Sequence, residues 1–204
     1  RDYYASRGLG DVYKRQLIYN QKVQTTFSKT SGNVTFKVQY PENITCGMPT
    51  TFKLSSEGTT DKVQYALYSL TTEDGTIVYD TSYGSNGKFF SKDSFDFTFY
   101  ASGTYYIRFA IMDTGVSPYV WFNTGLYGIK LVIDDKGYPT VENVVADLKA
   151  QCGKTCTTDF EKAVWFNDWL VENCRYDSSY SYCAPEGALA RGSGTCEAYH
   201  RAYV

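Results

Sequence analysis

Long apolar runs are missing from this chain. The longest, Ile107 to Met112, is broken by Arg108 and falls far short of the roughly 20 residues a membrane-spanning helix needs. No transmembrane segment is expected. Dense basic runs are missing as well: Lys and Arg total 20 against 22 Asp and Glu, and no window can neutralise several phosphates at once, which argues against nucleic acid as a partner. Histidine is nearly absent, His200 being the only one. No clustered Asp/Glu loop of the EF-hand kind occurs, so neither a metal nor another cofactor is expected. There is no internal repeat, and the Ser/Thr/Gly stretches are too short and too mixed with Tyr to be low-complexity.

What is present suits packed domains. The 204 residues are 43% apolar and 17% aromatic, enough for one large core or two small ones. Twenty Tyr fit half-exposed β surface, because the ring is apolar and its tip tolerates water. Residues 1–16 do not begin with Met, lack the apolar centre of a signal peptide and share no periodicity with the residues after them. They resemble a translated sequencing-adapter string, with an ordinary disordered lead as the alternative. The opposite end, Cys196 to Val204, reads as a helix without a stop signal, so the expectation is a chain cut at both ends.

From about residue 17 to 134 the pattern is β. Thr35 to Tyr40 alternates before Pro41, and Thr51 to Leu54 and Lys62 to Tyr68 follow. Asp74-Gly75 marks a tight hairpin between Tyr65–Leu70 and Ile77–Tyr79. Phe95 to Tyr100 is expected to pair with Thr104 to Ile111 across Ala101-Ser102-Gly103, and Leu126 to Ile133 to form the last strand. About seven strands in about 100 residues favour an immunoglobulin-like β-sandwich over a barrel. Residues 135–140, rich in charge and turn formers, read as a linker.

The period then becomes helical, over residues 141–204. Val141, Val144, Val145 and Leu148 recur at helix spacing behind a capping Thr140. Thr158 and Glu161 form a capping-box pattern for a second helix ending near Asn173, with Phe160, Val164, Trp165 and Trp169 expected as core. Pro185 suits the first position of a short third helix that ends at Gly192.

The chemistry concentrates at Gly192-Ser193-Gly194-Thr195-Cys196-Glu197-Ala198-Tyr199. Small residues ahead of a Cys let a substrate backbone approach. A thiol opening a helix faces unpaired N–H groups and the positive end of the dipole, which favour thiolate and can hold an oxyanion. Most cysteines, however, are inert core residues or disulfide halves.

The order of anchors adds weight. Asp168-Trp169-Leu170-Val171-Glu172-Asn173, then Arg175-Tyr176-Asp177, then Gly187-Ala188-Leu189, then Gly194-Thr195-Cys196-Glu197-Ala198-Tyr199 resembles the transglutaminase-like superfamily of bacterial secreted and surface proteins. The resemblance covers about 45 residues.

It implies the helical first half of an α+β papain-like domain, incomplete here, and a secreted or cell-surface protein with a cell-wall or surface association. Cys196 would be the nucleophile in acyl transfer on protein or peptide amides, whether crosslinking, deamidation or peptide hydrolysis. The family's general base and orienting acid, a His and an Asp, come from well downstream of the Cys, so these 204 residues are expected to be inactive alone. His200, on the same helix face as Cys196, reads as a structural or surface histidine. The alternative is a non-catalytic cell-surface binding or adhesion module built on the same folds.

For an exported chain with six cysteines, spacing makes Cys152–Cys156 and Cys174–Cys183 the economical disulfides, leaving Cys46 and Cys196 free. Two other readings stand beside it. One is a metal site from Cys152, Cys156, Cys196 and His200, which lacks a Cys-x2-Cys knuckle. The other is a set of buried thiols in a reducing compartment.

Overall fold

The computed structural model describes residues 23–80, 89–125 and 127–204. The lead at residues 1–16 and the proposed strand start at Leu126 lie outside the described residues.

Two antiparallel sheets make up the first part. One has the order β1 (Gln24–Ser31), β2 (Val34–Pro41), β3 (Pro49–Glu57), β6 (Ser94–Thr98). The other has β5 (Ile77–Asp80), β4 (Val63–Thr72) and β7 (Gly103–Asp113), with β8 (Val120–Asn123) and β9 (Ile129–Ile133) both paired to β7. β8 pairs with Ala110–Asp113 and β9 with Gly103–Ile107, so they lie end to end along the same edge of β7.

Alternation decides which face is buried, because successive side chains of a strand point to opposite sides. Val34, Phe36 and Val38 of β2, Phe52 and Leu54 of β3, and Ile107, Phe109 and Ile111 of β7 enter one core. The sheets meet there through Phe52 and Phe109, ring centroids 5.3 Å apart, and Phe95 and Phe109 at 6.0 Å. In β4 a bulge between Leu67 and Ser69 shifts the register against β7, which brings Leu70 onto the core face after Tyr65 and Leu67.

Two strand expectations change. Phe95–Tyr100 and Thr104–Ile111 do not form a hairpin: β6 pairs with β3 and β7 with β4, so Ala101-Ser102-Gly103 carries the chain from one sheet to the other. The inner residues Phe97 and Ile107 both belong to the shared core, a placement that opposite sheets satisfy as well as a hairpin would. The sandwich count of about seven strands is also low, since β1 and β8 bring the described strands of this part to β1–β9. The Asp74-Gly75 hairpin forms as expected, with Gly75 at φ +86°.

The segment 135–140 is tied down. Ser102 Oγ donates to Tyr138 O at 2.6 Å, Cys46 N donates to Asp135 Oδ2 at 3.1 Å, and Gly47, at φ +75°, leaves room for the Tyr138 ring.

Helices follow where capping residues place them. α1 (Val141–Cys152) begins behind Thr140, whose hydroxyl accepts from Asn143 N. α2 (Asp159–Asn173) opens with a complete capping box between Thr158 and Glu161. Backbone N–H groups of Thr158 and Thr157 hold the Glu161 carboxyl down to about 2. Thr158→Ala is expected to cost about 1 kcal/mol, read as a lowered melting temperature; an unshifted transition would show that the cap is dispensable. Helical turns begin at Pro185 and continue as a π-helical turn (Gly187–Arg191), closed by Gly192 at φ +71°. α3 (Cys196–Tyr203) completes the described chain.

A second core joins α1, α2, the π turn and α3 through Val144, Leu148, Leu170, Ala188, Leu189 and Ala198. Trp165, Phe166 and Trp169 pack against it half-buried. Phe160 and Val164 do not, being 79% and 43% exposed. They stand on the face of α2 away from Trp165, Phe166 and Trp169, which corrects their expected place in the core.

Candidate active site

The site is built where the chain doubles back on itself. Arg175–Tyr176 (β10) pairs in parallel with Ser193–Gly194 (β11), fixed by Arg175 N to Gly192 O at 3.0 Å and Asp177 N to Gly194 O at 2.9 Å. This short ladder sets Tyr176 beside the start of α3. Thr195 is the N-cap, its hydroxyl accepting from Ala198 N, and its burial removes the cap bond from competition with water. Cys196 follows as the first helical residue with its side chain exposed. A nucleophile needs this combination of fixed backbone and open thiol.

The thiol has a neighbour that sequence reasoning missed. Tyr176 lies close enough to Cys196 for the thiol and backbone of Cys196 to act on its hydroxyl. Ionisation of Tyr176 is pushed up, first by desolvation and then by the adjoining Cys196 and Tyr180. Tyr180 meets the Tyr176 ring edge-on at 6.1 Å, and both are about half exposed. Tyr180 holds φ +58°, a left-handed conformation rare for a residue with a bulky side chain, in a turn organised by Asp177. Asp177 Oδ1 accepts from Ser179 N at 3.0 Å and from Ser179 Oγ at 2.6 Å. Burial opposes its ionisation, but these bonds and the charge of Arg191, 3.1 Å away, hold its carboxyl below the usual range.

Residues 146–204 match the family model of the transglutaminase-like superfamily. The match contains every anchor of the expected order, from Asp168 to Tyr199. No curated protein matches the chain.

Other expected residues fall outside this site. His200 is exposed on α3, and no hydrogen bond joins it to Cys196 among the described residues. Nor do Cys152 and Cys156 converge with Cys196 and His200: no group of three or more His, Cys, Asp and Glu among the described residues could hold a metal ion.

Neither of the two expected disulfides, Cys152–Cys156 and Cys174–Cys183, is formed. Cys152 and Cys156 do touch, across a turn closed by Cys156 N to Cys152 O at 2.9 Å. Cys174 and Cys183 point to different partners. Cys174 lies in the second core and donates to Arg175 O at 3.6 Å, and its burial pushes the thiol up. Cys183 donates to Ser181 O at 3.7 Å in its own loop. No helix of the described residues is long and apolar enough to cross a membrane.

Proposed function

We propose that Cys196 is the acyl-accepting nucleophile of a transglutaminase-like enzyme acting on protein or peptide amides. The observation that carries this reading is the exposed thiol at the first position of α3, on a buried cap and beside a tyrosine hydroxyl. The Cys196 sulfur adds to a carboxamide carbonyl, and the C–N bond breaks as the amine or ammonia leaves with a proton, forming a thioester. Attack by an amine or by water then releases the thiol and yields crosslinked, deamidated or hydrolysed product. Tyr176 Oη and the α3 N–H groups stand where they can donate to the oxyanion.

His200 does not act as the base. Base and orienting acid come from another element. The first part is an immunoglobulin-like sandwich, a reading supported by Tyr105 at the start of β7, whose hydroxyl donates to Ala101 O at 2.9 Å in the manner of a tyrosine corner. Secretion or display at a bacterial surface follows from the same family reading.

The test uses the full-length gene product with a glutamine peptide and a fluorescent primary amine. Expected are amine incorporation and a mass adduct on Cys196, both lost in Cys196→Ala. Turnover unchanged in that variant sinks the proposal. A non-catalytic adhesion module is the second reading, favoured by exposed Tyr119, Trp121 and Tyr127 near β8. It expects no turnover from the intact protein.

A further inference from the structure

The segment between β10 and the π turn reaches back to the two-sheet unit, and Tyr182 is its hub. Its half-buried ring packs against the first core, stacked on Phe97 at 5.6 Å and 28°, with Tyr79 edge-on at 5.8 Å. The backbone docks as well: Tyr79 and Tyr182 form an antiparallel bridge, and Cys183 N donates to Val78 O at 3.1 Å. On the same ring sits the Arg191 guanidinium, 3.9 Å from the centroid. Arg191 donates to Asp177 Oδ2 and to Ser193 O, each at 3.1 Å.

Two contacts then lead straight to the nucleophile. Thr195 N donates to Tyr182 O at 3.1 Å, so the residue before Cys196 hangs from the backbone of Tyr182. Asp177 N donates to Gly194 O, and Asp177 follows the tyrosine that stands beside the thiol. Phe97, Tyr182, Arg191 and Asp177 therefore form one continuous stack from the sheet core to the N-terminus of α3. A ring held on one side by the core and on the other by a flat cation cannot tilt without moving the carbonyl that holds Thr195 and the guanidinium that holds Ser193.

We propose that Tyr182 is a positioning residue for Cys196, and that through it the two-sheet unit is part of the active-site scaffold and not a detachable spacer. This rests on Cys196 being the nucleophile. Tyr182 touches neither Cys196 nor the reacting atoms; it sets where the thiol stands. Its hydroxyl adds little, making one contact of 3.5 Å to Thr98 O.

The experiment measures amine incorporation into a glutamine peptide by the full-length gene product. Tyr182→Leu keeps apolar volume against Phe97 but removes the face on which Arg191 lies. It is expected to lower kcat at least about tenfold, because small displacements of a reacting group are costly, with KM unchanged. Tyr182→Phe keeps the ring and is expected to restore the parental kcat. If Tyr182→Leu does not fold, Arg191→Lys interrogates the other face: a compact ammonium cannot lie flat on the ring while bonding both Asp177 and Ser193, and the same loss of kcat is expected. Parental kcat in the folded variant, or no rescue by Tyr182→Phe, overturns the inference while leaving Cys196 as nucleophile. Absence of any Cys196-dependent turnover in the parent overturns the nucleophile reading, and this inference with it.

Discussion

Glu186→Ala is expected to destabilise the protein by about 3 kcal/mol, combining a buried donor left without its acceptor and the space left behind. Glu186 is 1% exposed although it carries a carboxyl. One oxygen accepts from Tyr100 N at 3.0 Å, and the other lies 2.8 Å from Tyr105 Oη. That hydroxyl has a single proton, which it gives to Ala101 O at 2.9 Å. The consistent order is a protonated Glu186 donating to Tyr105 Oη. Burial pushes the Glu186 carboxyl up, only partly opposed by the Tyr100 N–H bond.

The pH dependence has a definite sign. A carboxyl whose folded pKa lies above its unfolded value, about 4.3, contributes its full stability below that value and loses it as pH rises toward the folded pKa. Glu186→Gln keeps an acceptor for Tyr100 N and a donor for Tyr105 Oη but does not titrate. It should therefore gain on the parent with rising pH, by about 1.4 kcal/mol per unit over that window. Chemical denaturation at pH 5 and pH 8 measures it, and an equal gap at both values would mean that Glu186 is not held neutral.

Gly194→Ala is expected to cost up to about 3 kcal/mol, the upper range of overpacking, and to slow alkylation of Cys196 by iodoacetamide. A Cβ on Gly194 would stand 2.6 Å from Ala198 Cβ and 3.2 Å from the backbone nitrogen of Ala188. The first is far inside contact distance, and Ala198 is fully buried in the second core. The nearest relief is a shift of α3 away from the π turn, and Cys196 would move with it. Adding Ala198→Gly removes the closer contact, so the double variant should recover thiol reactivity. Its stability should recover less, because Gly in a helix costs about 1 kcal/mol against Ala. Parental melting and labelling in Gly194→Ala would show that the close approach has slack.

Short-range signals were the legible ones. Thr140, Thr158 with Glu161, Pro185 and Gly192 each act within a few residues, and each bounds the helix it predicts. Alternation in Val34–Val38 and Ile107–Ile111 likewise names the buried face, because the strand period needs no partner. Choosing partners does need them. An Ala-Ser-Gly link between two alternating strands serves a hairpin or a crossing between sheets, and here it crosses. β1, with sequence QTTFSKTS, is an edge strand whose exposed polar face weakens the alternation. Phe160 shows the same limit in a helix, since helical spacing does not say which flank a neighbour covers.

The sequence alone determined the helical elements, the inward residues of most strands and the candidate nucleophile, because capping, periodicity and the Gly-x-Cys motif are written in neighbouring residues. Only the tertiary structure decided what surrounds that thiol. Tyr176 comes from 20 positions away through a two-residue ladder, and Tyr182 and Glu186 take their meaning from Phe97, Tyr100 and Tyr105 in the sheets. These contacts depend on how separate cores meet in space, and no local spacing encodes that distance.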